Sequence, residues 1–230
     1  MKRFWKEVSI EPERNGWTIR LDGRNVKTPA RVPLVVPTRS LADAIAAEWR
    51  ALDGAIDPRQ MPLTGLANGA IDRVEPDLEE FRQGVARYAE ADLACYRATA
   101  PRELVAWQEK SWDPLLGWAR GRYDVDFATT SGLVHVAQPP ATVSQLVTAI
   151  DALDAFRLAG LSQLVTIGGS LIGALAVLEK AMSPAEAWAA VSIDERWQLE
   201  QWGADKEAEG ALENRRRDFL AAAHFLDLLD

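Results

Sequence analysis

The sequence predicts an α+β protein in which a small N-terminal α+β domain with an antiparallel sheet precedes a larger helical domain. The first 37 residues alternate apolar and polar side chains between glycine and proline turns, which is typical of short strands. The second half instead carries apolar side chains at helical spacing behind recognisable capping sequences. A chain of 230 residues that is 48% apolar can bury a full core, and we place the domains at 1–75 and 76–230.

The N-terminal sheet is predicted from four short segments. Residues 4–10 and 15–23 alternate with a period of two and are joined through an Asn-Gly turn. Residues 26–29 and 32–38 follow an Asp-Gly turn and are bounded by prolines, which limits their length. Because these segments are close in sequence and separated by tight turns, we expect them to pair in antiparallel fashion.

A helix is predicted over residues 41–52, with Thr38 or Ser40 as its cap. Leu41, Ile45 and Trp49 are spaced by one turn, so they lie on one face of this helix. That face would cover one side of the sheet. We therefore predict that Trp49 has a structural role.

The middle of the chain is predicted to contain helices at 64–74, 77–91 and 101–123. Pro114 must either kink the last of these or begin a new helix capped by Asp113. Residues 124–138 are rich in β-branched side chains, which predicts a strand that rejoins the N-terminal sheet.

Helix starts in the C-terminal part are marked by capping boxes, and the final helix is predicted at about 208–229. The boxes begin at Thr142, Ser183 and Ser192. Residues 164–178 form the most apolar run, but this run is shorter than the roughly 20 residues that cross a bilayer. It is interpreted as a buried helix rather than as a membrane span.

Composition and charge exclude several classes of partner and cofactor. The net charge of −8 opposes nucleic acid and anionic membranes as general partners. A single cysteine cannot form an internal disulfide, and two distant histidines cannot complete a His/Cys metal site. No secretory or transit pattern is visible at the start. We expect a cytoplasmic protein without metal or cofactor.

No arrangement of a nucleophile with a base is visible, and two alternatives to a binding protein stay open. One is an enzyme that uses Cys95 or the carboxylate pair Asp194 and Glu195. A lone cysteine among apolar neighbours is usually core, and adjacent helical residues point about 100° apart, so neither candidate is strong. The other is a homo-oligomeric scaffold held together by some of the nine tryptophans.

Residues 192–209 combine six acids with two bases and two tryptophans in what is predicted to be a single helix. With 100° per residue, Ile193 and Trp197 share a buried face, while Trp202 lies on the opposite side near Glu195. Two interpretations follow. The helix is packed on both sides with its acids as a solvated rim, or Glu195, Gln198, Trp202 and Asp205 form a patch that grips another protein.

Seven blocks, in order, cover nearly the whole chain and resemble one family, the assembly chaperones of F-type ATP synthase that bind the alpha subunit. These blocks are RFWKEV at 3–8, LDGRNVKTPAR at 21–31, IAAEW at 45–49, MPLTGLANGAID at 61–72, ADLACYRA at 91–98, WDPLLGWA at 112–119 and DERWQLEQWGADKEAE at 194–209. The resemblance implies an N-terminal α+β domain and a C-terminal orthogonal helical bundle. It also implies a non-enzymatic protein that holds the free alpha subunit and covers its beta-contacting surface. Such a chaperone is expected to be a monomer, and the missing targeting sequence predicts a cytoplasmic protein of the bacterial type.

The resemblance also assigns roles to residues. Glu195 matches the acid of the Asp-Glu-x-Trp-Gln block on which the family depends. The predicted partner-binding set is Asp194, Glu195, Gln198, Trp202 and Asp205, and the predicted structural set is Trp49, Trp197 and Gly203.

Overall fold

The computed structural model describes residues 3–132, 134–203 and 205–230, with Trp202 described by its backbone alone. These residues form two compact units. The first contains the chain up to Leu78 together with Asp154–Gly160 and His224–Asp230. The second contains Glu79–Leu153 and Leu161–Ala223. Short C-terminal segments thus fold with the N-terminal part, which a division of the sequence at one point does not predict.

The sheet of the first unit has four strands, and all of its pairings are antiparallel. Strand β2 pairs with each of the other three. Asp22 and Gly23 both have positive φ, as a tight two-residue turn between β2 and β3 requires. The strands are β1 (Val8–Glu13), β2 (Gly16–Leu21), β3 (Arg24–Asn25) and β4 (Val35–Val36).

Helix α1 (Arg39–Ala51) packs against β1 and β2 through a buried face that includes Leu41 and Ile45. The Thr38 hydroxyl caps it by accepting a hydrogen bond from Leu41 N at 3.2 Å. Trp49 is half-buried, and its ring meets Trp5 edge to face at 5.1 Å.

The N-terminus of helix α2 (Pro62–Gly69) is capped by a carboxylate from α1. Glu48 accepts hydrogen bonds from Leu63 N and Thr64 N, both at 2.8 Å. These are two of the backbone donors that the first turn of a helix leaves unpaired. A π-helical turn, Ala70–Val74, continues α2.

The first half of the second unit contains α3 (Leu78–Ala86), α4 (Arg102–Tyr123), α5 (Pro140–Asp151) and a small pair of strands, β5 (Tyr96–Arg97) and β6 (Thr130–Ser131). Helix α4 runs through Pro114, so of the two alternatives the restart of the helix is wrong. Asp113 forms an ion pair with Arg97 at 2.7 Å instead of capping a helix. The strand expected over 124–138 does not rejoin the N-terminal sheet. Its two residues in β6 pair in parallel with β5.

The remaining helices are α6 (Ala155–Gly168), α7 (Leu171–Leu178), α8 (Pro184–Val191), α9 (Ile193–Trp202) and α10 (Lys206–Asp227). The apolar run 164–178 is two helices rather than one, because Gly169 has φ +68° and Ser170 caps α7 by accepting from Gly173 N. Among the described residues, none of the helices has the combination of length and apolar character that a membrane span needs.

The predicted single helix at 192–209 is wrong. Helix α9 ends at Trp202, where Gly203 adopts φ +84°, a conformation that glycine reaches without strain. Of the three capping boxes, the one at Ser183 is formed in full. Thr142 lies inside α5 and donates to Asp126 O, and the Ser192 hydroxyl donates back to Trp188 O. The α+β class, with a small antiparallel N-terminal sheet and a helical remainder, is confirmed.

Candidate protein-binding site

Helix α9 carries most of the predicted site, and its first turn holds both Asp194 and Glu195. Acids are favoured there because the unpaired N–H groups give the start of a helix a partial positive charge. Ser192, immediately before the helix, is fully buried, and Ile193 is nearly so. The two acids that follow are half-exposed. The chain thus emerges from the core with its carboxylates at the surface.

The Asp194 carboxylate is held by a buried amide on α4. Gln108 Nε2 donates to Asp194 Oδ1 at 2.8 Å, and Gln108 Oε1 accepts from Ala98 N at 2.7 Å. Gln108 is only 1% exposed, so bulk water does not compete for these bonds. The contact to Asp194 comes from a neutral group, and the negative charge of this carboxylate is therefore oriented without being neutralised.

Two tryptophans of α4 fix the same region. The Trp107 ring meets Trp197 of α9 edge to face at 5.2 Å, and both rings are half-buried. The buried Trp112 donates its indole N–H to Ala190 O at the end of α8, at 2.8 Å. Trp197 is predicted on a buried helix face, but its ring is half-buried and packs edge to face against Trp107.

Glu195 has a charged partner within the chain. Arg215 Nη1 of α10 lies 2.7 Å from Glu195 Oε1, while Nη2 donates to Ile167 O at 2.8 Å. The same guanidinium lies over the Trp188 ring at 5.9 Å. About two fifths of each of the two charged side chains is exposed. Adjacent acids on one helix thus have different partners on different helices, and they do not share a pocket.

The other predicted site residues lie in three different settings. Gln198 is exposed on α9. Trp202 is the last residue of α9, and its side chain lies outside the described part of the structure. Asp205 belongs to the connection after Gly203, where its carboxylate accepts from Glu207 N at 3.0 Å and so caps α10. The predicted patch of Glu195, Gln198, Trp202 and Asp205 is therefore not formed on a single helix, because Asp205 lies after the end of α9.

A cleft of about 380 Å³ borders α9 on the side of α8 and α10. Its lining includes the apolar residues Trp188, Leu199 and Leu212 together with charged residues. Arg196 and Glu209 also line this cleft, so both signs of charge are present in it. Apolar surface next to exposed charge is the usual composition of a protein-binding region.

The candidates for catalysis do not gain support from their surroundings. Burial raises the pKa of the fully buried Cys95 thiol to about 12, which keeps it protonated and non-nucleophilic at neutral pH. Asp92 is also fully buried, but its carboxylate accepts from Ile172 N, Ala94 N and the Ser170 hydroxyl, which is a structural capping role. Within the described residues, no three His, Cys, Asp or Glu side chains are grouped to hold a metal ion.

Gln108 and Arg215 belong to the candidate site although no sequence pattern indicates them. Gln108 and Asp194 are 86 positions apart, and Glu195 and Arg215 are 20 apart on different helices. Only the packing of α4 and α10 beside α9 brings these partners together. A buried glutamine in the middle of a helix looks like a surface residue in a sequence.

The comparisons with known proteins identify the family of this chain. Residues 2–120 match the family model described as ATP12 chaperone protein. Over 98% of this chain and 81% of the relative, the chain is 24% identical to the mitochondrial protein atp12 of Schizosaccharomyces pombe.

Solved structures agree over the whole chain. Crystallised Atp12 from Paracoccus denitrificans is 40% identical, with a TM-score of 0.94 over 100% of this chain and 98% of that one. A protein of Agrobacterium tumefaciens described as a candidate chaperone is 38% identical, with a TM-score of 0.95 over 100% of this chain and 86% of that one. This chain belongs to the ATP12 family of ATP synthase assembly chaperones.

Proposed function

We propose that this chaperone binds the free alpha subunit of the F-type ATP synthase catalytic sector and covers its beta-contacting surface until the hexamer assembles. It acts in the cytoplasm as a monomer, and it works by binding rather than by catalysis. Membership of the ATP12 family supports a role in ATP synthase assembly. The seven sequence blocks that resemble alpha-subunit chaperones support the choice of subunit.

The proposed docking site is based on the different partners of the two adjacent acids on α9. Glu195 faces the Arg215 guanidinium, so most of its attraction for a basic partner is already satisfied within the chain. Asp194 has the neutral Gln108 amide as its hydrogen-bond donor and keeps its charge available. We therefore assign the main electrostatic contact with the alpha subunit to Asp194, with Glu195, Gln198 and Trp202 beside it.

The charge of the second unit favours a basic partner surface. It contains 13 basic and 20 acidic residues, whereas the first unit contains 13 and 14. Acid in excess around a docking site raises the rate of encounter with a basic surface and disfavours wrong partners. The Trp107–Trp197 pair supplies rigid aromatic area at low entropic cost.

An unassembled subunit exposes an apolar interface that would otherwise aggregate. A chaperone that covers this interface must also release it, so we expect moderate affinity and displacement by the beta subunit. The acidic surface of the second unit keeps the resulting complex soluble.

The experiment is to mix the purified chain with purified free alpha subunit and to measure the mass of the complex by light scattering. We expect a one-to-one complex, no complex with beta subunit alone, and loss of the chaperone when beta subunit is added to the complex. A stable complex with beta, or an alpha complex that beta cannot displace, would contradict the proposal.

A further inference from the structure

The start of α9 depends on one buried side chain, Gln108. It lies within the 22-residue helix α4, one position after Trp107, and is 1% exposed. Its amide bridges the backbone at Ala98 and the carboxylate of Asp194. No other hydrogen bond to the Asp194 side chain is present among the described residues.

The orientation of the Gln108 amide is fixed by chemistry. A backbone N–H can only donate, so the Ala98 N–H must face Oε1, and the NH₂ end is left to face Asp194. The distances of 2.7 and 2.8 Å are those of well-formed hydrogen bonds. The amide therefore cannot flip without placing two donors against each other at Ala98 and two acceptors against each other at Asp194.

The backbone that orients Gln108 is itself restrained. Arg97, adjacent to Ala98, forms an ion pair with Asp113 of α4 at 2.7 Å and donates from Nε to Ala94 O at 3.1 Å. Its guanidinium also lies over the Trp112 ring at 5.2 Å. The β5 segment and α4 are thus tied together at the point from which the Gln108 amide reaches α9.

We infer that Gln108 is a positioning residue, which holds the Asp194 carboxylate in the direction in which it meets the partner. This inference rests on the proposed function, because it assumes that Asp194 contacts the alpha subunit. Without the amide, the carboxylate would sample several rotamers, and each binding event would have to select one of them. A pre-oriented charged group avoids that entropic cost and binds more tightly.

The chain offers a matched control. Gln138 is a second buried glutamine of the same unit, 7% exposed, and its amide also makes two hydrogen bonds. Both go to the backbone of Ala128, at 3.1 Å to N and 2.8 Å to O. Gln138→Met and Gln108→Met therefore remove the same number of bonds from the same kind of side chain, but only Gln108→Met frees Asp194.

The test is a double-mutant cycle on alpha-subunit affinity, with Gln108→Met and Asp194→Ala alone and combined. We expect Gln108→Met to weaken binding about tenfold in the parent and less than about twofold in the Asp194→Ala background, where no carboxylate is left to orient. Gln138→Met should bind the alpha subunit as the parent does, although it melts at a lower temperature. Should Gln108→Met not fold, Gln108→Leu enters the same cycle, since it is also apolar, adds no charge and offers no donor to Asp194.

Three results would overturn the inference. These are parental affinity in Gln108→Met, an equal loss with and without Asp194, and an equal loss in Gln138→Met, which would point to general destabilisation. Parental affinity in Asp194→Ala would instead reject the proposed docking site, and the inference with it. Loss in Asp194→Ala without loss in Gln108→Met leaves the proposed function intact and rejects only the positioning role.

Discussion

The two units use their acidic residues in different ways. In the first unit the numbers of basic and acidic residues nearly balance, and Glu48 on α1 is turned inward to cap α2. Among the described residues of the second unit, the buried Asp92 has a similar capping role, because its carboxylate accepts from Ile172 N at the start of α7. The same unit contains 20 acidic and 13 basic residues, and this surplus of acids is distributed over the whole unit. The net charge of the chain is therefore essentially a property of the second unit.

This difference separates structural acids from candidate binding acids. A buried carboxylate that accepts several backbone N–H bonds stabilises a helix start, and its removal leaves those donors unpaired. A half-exposed carboxylate with a neutral donor contributes little to stability but is available to a partner. Substitutions in the two classes should therefore have different effects on stability and on partner binding.

The largest expected effect is on Asp92. Asp92→Ala leaves Ile172 N, Ala94 N and the Ser170 hydroxyl without their acceptor in a fully buried site. We expect the free energy of unfolding to fall by about 3 to 5 kcal/mol, as measured by urea denaturation. A loss below about 1 kcal/mol would show that Asp92 does not hold the start of α7.

The pH dependence of stability provides a second test of Asp92. Burial raises the pKa of this carboxyl to about 6 from an ordinary value of 3.8. Between these values the folded state binds a proton that the unfolded state has released, so stability falls as pH rises through this window. The parent should lose about 2 to 3 kcal/mol relative to Asp92→Asn between pH 3.5 and pH 7, from unfolding curves at each pH. A constant difference between the two proteins would contradict the assignment.

In the first unit, Trp49→Ala removes the edge-to-face partner of Trp5 from the surface of α1. Because Trp49 is half-buried, we expect a loss of about 2 kcal/mol, below the usual cost for a fully buried tryptophan. Alpha-subunit affinity at a temperature where the variant is folded should equal that of the parent. Weaker binding by a fully folded Trp49→Ala protein would contradict the assignment of partner binding to the second unit.

Glu195→Lys should have a smaller effect on stability. It places an ammonium group beside Arg215 and leaves that guanidinium with Ile167 O as its remaining acceptor. With both side chains partly exposed, we expect a loss of about 1 kcal/mol in thermal unfolding. Gln198→Lys, also on α9 but exposed, is the matched control and should change stability by less than about 0.5 kcal/mol. Equal melting of the two variants would mean that the ion pair contributes nothing.

Sequence reasoning predicted the parts of the fold that depend on local pattern. The alternation of apolar and polar residues before residue 38 predicts the sheet, and the helical spacing of Leu41 and Ile45 predicts α1 with Thr38 as its cap. The sequence pattern does not indicate the break of α9 at Gly203, because acidic residues continue on the far side of the glycine. A positive φ at one residue ends a helix, whatever the pattern of its neighbours.

The sequence indicates which residues form the candidate site, but it does not indicate their hydrogen-bond and ion-pair partners. The Asp194–Glu195 block was visible, and the helical wheel separated Glu195 from Trp197. The partners of these residues were not visible, since Gln108 is 86 positions from Asp194 and Arg215 lies beyond the break in the helix. Tertiary packing decides which of two adjacent acids is neutralised, and a sequence pattern does not contain that information.

The most direct test of the account is the affinity of Asp194→Asn for the free alpha subunit. Asparagine keeps an oxygen that can accept from Gln108 Nε2 and removes only the charge. Asp151→Asn is the control, because Asp151 is an exposed acid at the end of α5 in the same unit. We predict that Asp194→Asn unfolds with a free energy within about 0.5 kcal/mol of the parent but binds about tenfold more weakly. Asp151→Asn should match the parent in both stability and affinity. Parental affinity in Asp194→Asn, or the same loss in Asp151→Asn, would contradict the claim that an oriented, uncompensated carboxylate on α9 docks the partner.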